Sequence, residues 1–342
     1  MKKRSLLLVG NTVPEDWAFR KGVEDASGRR WDVASFVINR YDGLHKYTRY
    51  GTYLLRPFGL FLRRGRYDTI LSWEQFLALV FAFYEQTFHV KNYPELTVMG
   101  FIYKPKKGAV GRVFERFVRT AVKSEYVKHV VVYGESEIPY YAELFGVPKE
   151  KFSSQILGQV DRKDILEEAR EGNGGKYYLS AGRSNRDYAF LRAAWPKDRE
   201  KLTVVCDVEK AEDAANIHYE KNCHGDDYLR LLAGAHVSVV PLESEKFSSG
   251  QLVFLQSAML GKPVITTPND TVYDYVEDGV TGFIVDKTPE ALAEALRKLD
   301  DPETYARMSQ NARRRFEERF SLYELGRRMG ETCRSAENDT GL

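Results

Sequence analysis

Cysteine is scarce. Cys206, Cys223 and Cys333 are the three in 342 residues, far apart and without a CxxC pair. Such spacing suggests neither a disulfide framework nor a thiolate zinc site, and it fits a reducing cytoplasm. Histidine is also sparse, at six, and His45, His218 and His224 stand at no metal-ligand spacing, so they read as ordinary loop residues. Long apolar runs are missing as well. The longest, FLALVFAFY at 76–84, is about half of what a bilayer-spanning helix requires. The opening MKKRSLLLVGN has a basic start, but its apolar stretch stops at Gly10 and Asn11, too short for a signal peptide, and it reads as a first buried strand.

What is present is a mixed, globular composition: 43% apolar and 29% charged residues with no low-complexity block. At 342 residues the chain exceeds one ordinary core and suits two domains. The formal charge of +2 conceals an asymmetry. Residues 1–164 hold 27 Lys/Arg against 18 Asp/Glu, a balance of +9, and residues 165–342 hold 24 against 31, a balance of −7. The two halves are expected to meet different partners.

Short β-type runs alternate with helical stretches throughout, the pattern of a parallel sheet covered by helices on both faces. The strands expected in the first half are SLLLVG (5–10), WDVASFVI (31–38), YDTILSW (67–73), LTVMGFIY (96–103) and HVVVYG (129–134). Helices are expected over 76–88 and 111–126, the latter with Val113, Phe114, Phe117, Val118 and Ala121 on one apolar stripe. A polar, glycine-containing stretch, 157–176, breaks the alternation. A second series follows: KYYLSAG (176–182), LTVVCDV (202–208), HVSVVPL (236–242), PVITT (263–267) and FIVD (283–286). The expected fold is therefore α/β, two Rossmann-like doubly wound domains, 1–160 and 161–342, facing each other across a cleft. Open sheets of this kind bind ligands beyond the carboxyl ends of their strands.

Two helix mouths in the second half carry the chemistry. At FSSGQLVFLQSAMLGK, Ser249 and Gly250 precede an apolar helix, where unpaired N–H groups and a partial positive charge suit a phosphate that glycine lets approach. With Ser249 as N-cap, Gln256 lies seven residues on, back on nearly the same face, so one ligand could touch both. The plainer reading is a capped helix whose Gln256 bonds a neighbouring loop. The second mouth is YYLSAGRSNRDY, where Arg183 and Arg186 can fork onto anionic oxygens and Gly182 permits a close approach; surface pairing of Arg186 with Asp187 is the alternative.

Together, strand-GR-x-x-R-helix, VVPLESEKFSSGQLVFLQSAMLGKPVITT and YVEDGVTGFIVD resemble the nucleotide-sugar half of GT-B glycosyltransferases of family 4 over about residues 176–320. The resemblance implies a sugar donor held by the C-terminal domain, an acceptor held by the N-terminal one, transfer with retention, no cofactor and no obligatory metal. It implies a terminal helix, about 322–336, that crosses back to the first domain. It also places the diphosphate grip on Arg183 and Arg186, with Gly182, Ser249, Gly250, Gln251 and Gln256 as donor-binding residues. The family's two glutamates, eight positions apart, fall on Ser248 and Gln256. A glutamine still hydrogen-bonds ribose hydroxyls, whereas Ser248, the position of the first catalytic carboxylate, carries no charge; Glu243 or Glu245 could stand in. The N-terminal half departs too, with GNTVPEDW in place of a glycine-rich loop and MGFIYKPKK where a histidine is habitual. Glu74, at the end of YDTILSW, is the candidate for orienting the acceptor hydroxyl, with an exposed loop glutamate of no role as the alternative. Cys206, Asp207 and Glu209 lie at the carboxyl end of LTVVCDV, where the donor's base edge is expected.

The basic half has a second reading. Residues 40–67 mix seven Lys/Arg with one acid among Tyr, Phe and Leu, and YKPKKGAVGRVFERFVR adds to it. Apolar wedges beside cations suit an anionic membrane surface, and Arg63, Arg64, Lys104, Lys106 and Lys107 are the candidate acceptor- or membrane-facing residues; a solvated helix face is the bland alternative. No nucleic-acid recognition signature accompanies them. The expected activity is transfer from a nucleotide-sugar to a cell-surface polysaccharide or lipid-linked glycan, at the inner face of the cell membrane. The alternative is a non-catalytic partner or scaffold of the same fold, motivated by Ser248 and Gln256.

Overall fold

The computed structural model describes residues 4–37, 45–171, 176–207, 215–244 and 249–339 of the chain. Its contacts divide into two compact units, Met1–Ile156 with Tyr323–Leu342, and Leu157–Leu322. Each contains one parallel sheet of six strands among the described residues.

In the first unit the strands are β1 (Arg4–Val9), β2 (Trp31–Ser35), β3 (Tyr67–Ser72), β4 (Glu95–Val98), β5 (Val127–Val132) and β6 (Phe152–Ser154), in the order β2-β1-β3-β4-β5-β6. The apolar runs are buried on both faces, as parallel strands under helices must be: Leu6, Leu8, Ile70, Val98, Val130 and Val132 pack with Leu77, Phe81, Val118 and Phe145. Each such side chain contributes roughly 1.5–3 kcal/mol of burial. The strand order reverses between the parallel neighbours β1 and β3, so their carboxyl ends open a crevice at Gly10 and Glu74.

The second unit repeats the plan with β7 (Tyr178–Ala181), β8 (Leu202–Val205), β9 (Ile217–Glu220), β10 (Val237–Val240), β11 (Val264–Thr266) and β12 (Gly282–Ile284), ordered β12-β11-β10-β7-β8-β9. Tyr178, Leu202, Val204, Val237, Val239 and Ile265 meet Leu191, Trp195 and Leu296 in its core. Its reversal lies between β7 and β10, which pair through Val237↔Tyr178 and Ser238↔Leu179.

Several expectations need correction. β6 and β9 were not anticipated, because FSS is too short and IHYE too polar to read as buried strands. The run expected over 96–103 ends at Val98, since Gly100 takes φ +67° and turns the chain while Phe101 N bonds Val131 O at 2.9 Å. The break at 157–176 contains a helix, Lys163–Glu171. The helix expected at 111 begins at Gly108 and ends at Lys123, and it buries Gly111, Val118, Ala121 and Val122. Val113 lies on its far side, 71% exposed. His45 opens the helix His45–Phe61 and His218 is on β9, so neither is a loop residue.

The terminal helix, Leu322–Asp339, packs on Ala18–Ser27 through glycines. A Cβ at Gly22 would lie 2.1 Å from Tyr323 O, and one at Gly326 2.1 Å from Phe19 O. Arg328 then reaches Gln155 Oε1 at 3.0 Å and Ile156 O at 3.1 Å. No helix among the described residues is long and apolar enough to cross a membrane.

Candidate functional site

The reversal between β7 and β10 opens onto a cavity of about 530 Å3, wholly within the second unit. Three segments build it: the turn after β7, the residues after β8 with those preceding the helix Gly225–Gly234, and the mouth of the helix Gln251–Met259. A cavity of this size at a topological switch point is where an open α/β sheet takes a nucleotide-sized ligand.

The turn after β7 is tightly specified. Gly182 has φ +120°, a conformation open to glycine, and its carbonyl accepts from Tyr188 Oη at 2.7 Å. Arg186 folds back over it: Nε donates to Ala181 O at 2.9 Å and Nη1 to Ser184 O at 2.9 Å. Burial holds the Arg186 guanidinium below its ordinary pKa, a cost that these carbonyl bonds offset. Arg186 therefore lines the cavity with Nε and Nη1 each already donating to a backbone carbonyl, which leaves fewer donors for a ligand than the free two-pronged fork expected of it. Arg183 is different. It lines the cavity, is exposed, and makes no hydrogen bond or ion pair among the described residues.

At the second mouth the N-cap is Gly250, not Ser249. Gly250 adopts φ +89°, and a Cβ there would come within 2.7 Å of the Phe254 ring, so no larger residue fits the entry to this helix. Ser249 stays outside it, its hydroxyl accepting from Asn185 Nδ2 at 2.8 Å. Gly250, Gln251, Leu252 and Val253 line the cavity, bringing the helix's N-terminal end to it. Gln256 lines it too, through the i, i+3 and i, i+4 relation to Val253 and Leu252. Its amide makes no bond among the described residues.

The far wall comprises Cys206, Asp207, Cys223, His224 and Tyr228. Asp207 Oδ1 accepts from Asn222 N at 2.8 Å, and Oδ2 lies 3.3 Å from His224 Nε2. His224, expected to be an ordinary loop residue, is thus a cavity residue at the entry to the helix Gly225–Gly234. Tyr228 and Asn185 went unsuspected; the Tyr228 hydroxyl is buried without a partner among the described residues, and burial raises its pKa. Asn185 did leave a signal, because an asparagine inside GRSNRDY is a residue that tolerates φ > 0 and takes it here at +56°. Among the described residues no cluster of three or more His, Cys, Asp or Glu is placed to hold a metal ion.

Other candidates lie elsewhere. Ser248, Glu245 and Glu209 fall outside the described residues, and Glu243 is exposed away from the cavity lining. Glu74 caps the helix Gln75–Phe88, accepting from Phe76 N at 3.3 Å, beside Gly10 in the first unit's crevice. Lys104, Lys106, Lys107 and Arg63 are exposed. Arg64 is not: it turns inward over the Phe61 ring and donates to Phe61 O at 2.9 Å, capping the end of His45–Phe61.

The arrangement has known counterparts. Residues 197–315 match the family model for glycosyl transferases group 1. The alpha-D-kanosaminyltransferase of Streptomyces kanamyceticus is 26% identical over 178 residues, 49% of this chain and 45% of that protein. The capsular polysaccharide biosynthesis glycosyltransferase CapM of Staphylococcus aureus is 35% identical over 100 residues, 29% of this chain and 26% of its own. The chain thus spans less than half the length of these curated relatives. The structure of Anabaena Alr3699/HepE in complex with UDP superposes with a TM-score of 0.65 at 15% identity, over 97% of this chain and 100% of that one. The chain has the GT-B fold, and its residues 197–315, which match the model for glycosyl transferases group 1, lie in the unit that holds the cavity.

Proposed function

We propose that the chain transfers a sugar from a nucleoside-diphosphate donor to a hydroxyl of a polysaccharide or lipid-linked glycan, with retention and without a required metal. One observation carries this reading: the exposed, unpartnered Arg183 and the glycine-capped helix mouth at 250–253 line the same cavity at the switch point of the second sheet. A cation and a helix N-terminus that share one cavity suit a diphosphate. The family match and the transferase names of the two relatives agree with it, as does the binding of UDP by Alr3699/HepE.

The roles follow from chemistry. Arg183 and the first-turn amides stabilise the departing diphosphate, where negative charge develops as the glycosidic bond breaks. Gln256 hydrogen-bonds the ribose, and Glu74 orients the acceptor hydroxyl. The far wall at Asp207 and His224 receives the base. Retention and metal independence rest on the family resemblance. Lys104, Lys106, Lys107 and Arg63, exposed near the apolar Ile102, Val110, Leu55 and Leu62 in sequence, suit an anionic membrane surface where lipid-linked acceptors reside. The placement at the inner face of a cell membrane follows from that.

The test is a thermal-shift screen against UDP, GDP, ADP and TDP with their sugars, followed by turnover of the donor that binds. A binding donor raises the midpoint with the logarithm of its concentration, and Arg183→Ala is expected to weaken it at least tenfold. An Arg183→Ala protein with unchanged donor affinity refutes the phosphate assignment. The absence of a carboxylate at Gln256 favours one second reading, a non-catalytic scaffold; any donor turnover excludes it.

A further inference from the structure

We propose that Asn185 is a positioning residue for the diphosphate end of the donor, its single amide setting the spacing between the Arg183 turn and the mouth of the helix Gln251–Met259. The inference rests on the donor-site reading above. Asn185 Nδ2 donates to Ser244 O at 2.9 Å and to Ser249 Oγ at 2.8 Å, while Oδ1 accepts from Ser244 N at 2.9 Å. Its own carbonyl accepts from Glu243 N at 3.2 Å. One side chain therefore ties the turn after β7 both to the residues that leave β10 and to the residue that precedes Gly250.

The other bonds here show that the β10 exit is an anchored platform. Leu242 N donates to Thr267 Oγ1 at 2.9 Å, Asn269 Nδ2 to Ser244 O at 3.1 Å and Lys287 Nζ to Glu243 O at 3.1 Å. Ser244 is thus held from the β11 side and from the β7 side at once. Asn185 transmits that fixed position to Ser249, next to the helix mouth, and lies two residues from Arg183. It does so from a left-handed backbone, φ +56°, a conformation that asparagine tolerates better than most other non-glycine residues. Only an amide serves this geometry: a carboxylate lacks the two donations, and serine lacks the reach.

A diphosphate needs the Arg183 turn and the helix mouth at a fixed separation, whereas a monophosphate can rest on one of them. The clamp should therefore govern preference for diphosphate over monophosphate, a readout that general loosening of the fold does not move. Calorimetric titration of the full chain with UDP, GDP and ADP, each against its monophosphate, tests this. Asn185→Gly keeps the backbone conformation and removes every side-chain bond; it is expected to cut the diphosphate-over-monophosphate preference about tenfold. Ser249→Ala, which removes the bond from Asn185 Nδ2, is expected to cut it less, and the double variant to do no worse than Asn185→Gly alone, because the two act through a shared contact. If Asn185→Gly fails to fold, Ser249→Ala alone decides. Equal losses for di- and monophosphate, no loss, or additive losses overturn the clamp while leaving the donor site standing. A parent protein that binds none of these nucleotides sinks the donor site and the clamp together.

Discussion

The guanidinium of Arg186 lies across the backbone of Gly182, so close that a Cβ at residue 182 would sit 2.7 Å from Nη2, 2.8 Å from Nε and 2.9 Å from Cζ. Each residue thereby fixes the other: the bare glycine gives the arginine its seat, and the seated arginine satisfies Ala181 O and Ser184 O. The turn that presents Arg183 is rigid for this reason.

Gly182→Ala is accordingly expected to unseat Arg186 and to strain a backbone at φ +120°. Strain of that kind costs roughly 1–3 kcal/mol. A melting curve should show a loss of several degrees, and nucleotide affinity should fall about tenfold as the turn loosens. Unchanged affinity would mean that Arg183 does not depend on the Gly182 turn.

The Tyr228 hydroxyl is buried at the cavity wall with no hydrogen-bond partner among the described residues. An unpaired buried hydroxyl costs about 1–3 kcal/mol. Tyr228→Phe removes that cost while keeping the ring, so the unliganded protein should melt about 2–4 °C higher. A lower midpoint would show that the hydroxyl has a partner in solution.

Much of this was legible beforehand. Ten strands, the alternation that implies two parallel sheets, and the two helix mouths follow from runs such as LLLV and VSVV and from Gly182 and Gly250, because apolar continuity and glycine both act locally. What stayed hidden depends on partners distant in sequence. The far wall needs β9 beside β8 to bring His224 to Asp207, and IHYE does not announce a strand. Arg186 looked as available as Arg183, since nothing in GRSNRDY reveals which guanidinium the local carbonyls will capture. Likewise Ser249 resembles a cap by composition, but the left-handed turn at Gly250 and the pull of Asn185, 64 residues away, decide otherwise.

Gly326 sits where the terminal helix meets Ala18–Ser27, and a Cβ there would lie 2.1 Å from Phe19 O, a backbone atom that cannot swing aside. By helix propensity alone Gly→Ala is favourable by about 1 kcal/mol. Overpacking instead costs about 1–3 kcal/mol, so the sign of the change reports the contact. Gly326→Ala should lower the midpoint by several degrees, whereas Gly59→Ala, in the helix His45–Phe61 with nothing within 4 Å of its Cβ, should hold or raise it. Stabilisation by both substitutions would place the terminal helix away from Phe19.

Glu85 is fully buried in the helix Gln75–Phe88, and neither carboxyl oxygen has a hydrogen-bond partner among the described residues. Burial pushes its pKa from 4.5 up to about 8, with the Arg64 guanidinium pulling the other way. The folded protein therefore keeps a proton that the unfolded chain releases above about pH 4.5. Folding stability from this group is fully present below that pH and declines as pH rises through about 8, by up to about 4–5 kcal/mol at order of magnitude. Glu85→Gln keeps the shape and never ionises, so it should match the parent near pH 4–5 and exceed it by several degrees at pH 8–9. The quantity to follow is the difference between the two melting temperatures across that range. A difference that stays constant with pH would mean that Glu85 is already ionised in the fold and paired with Arg64.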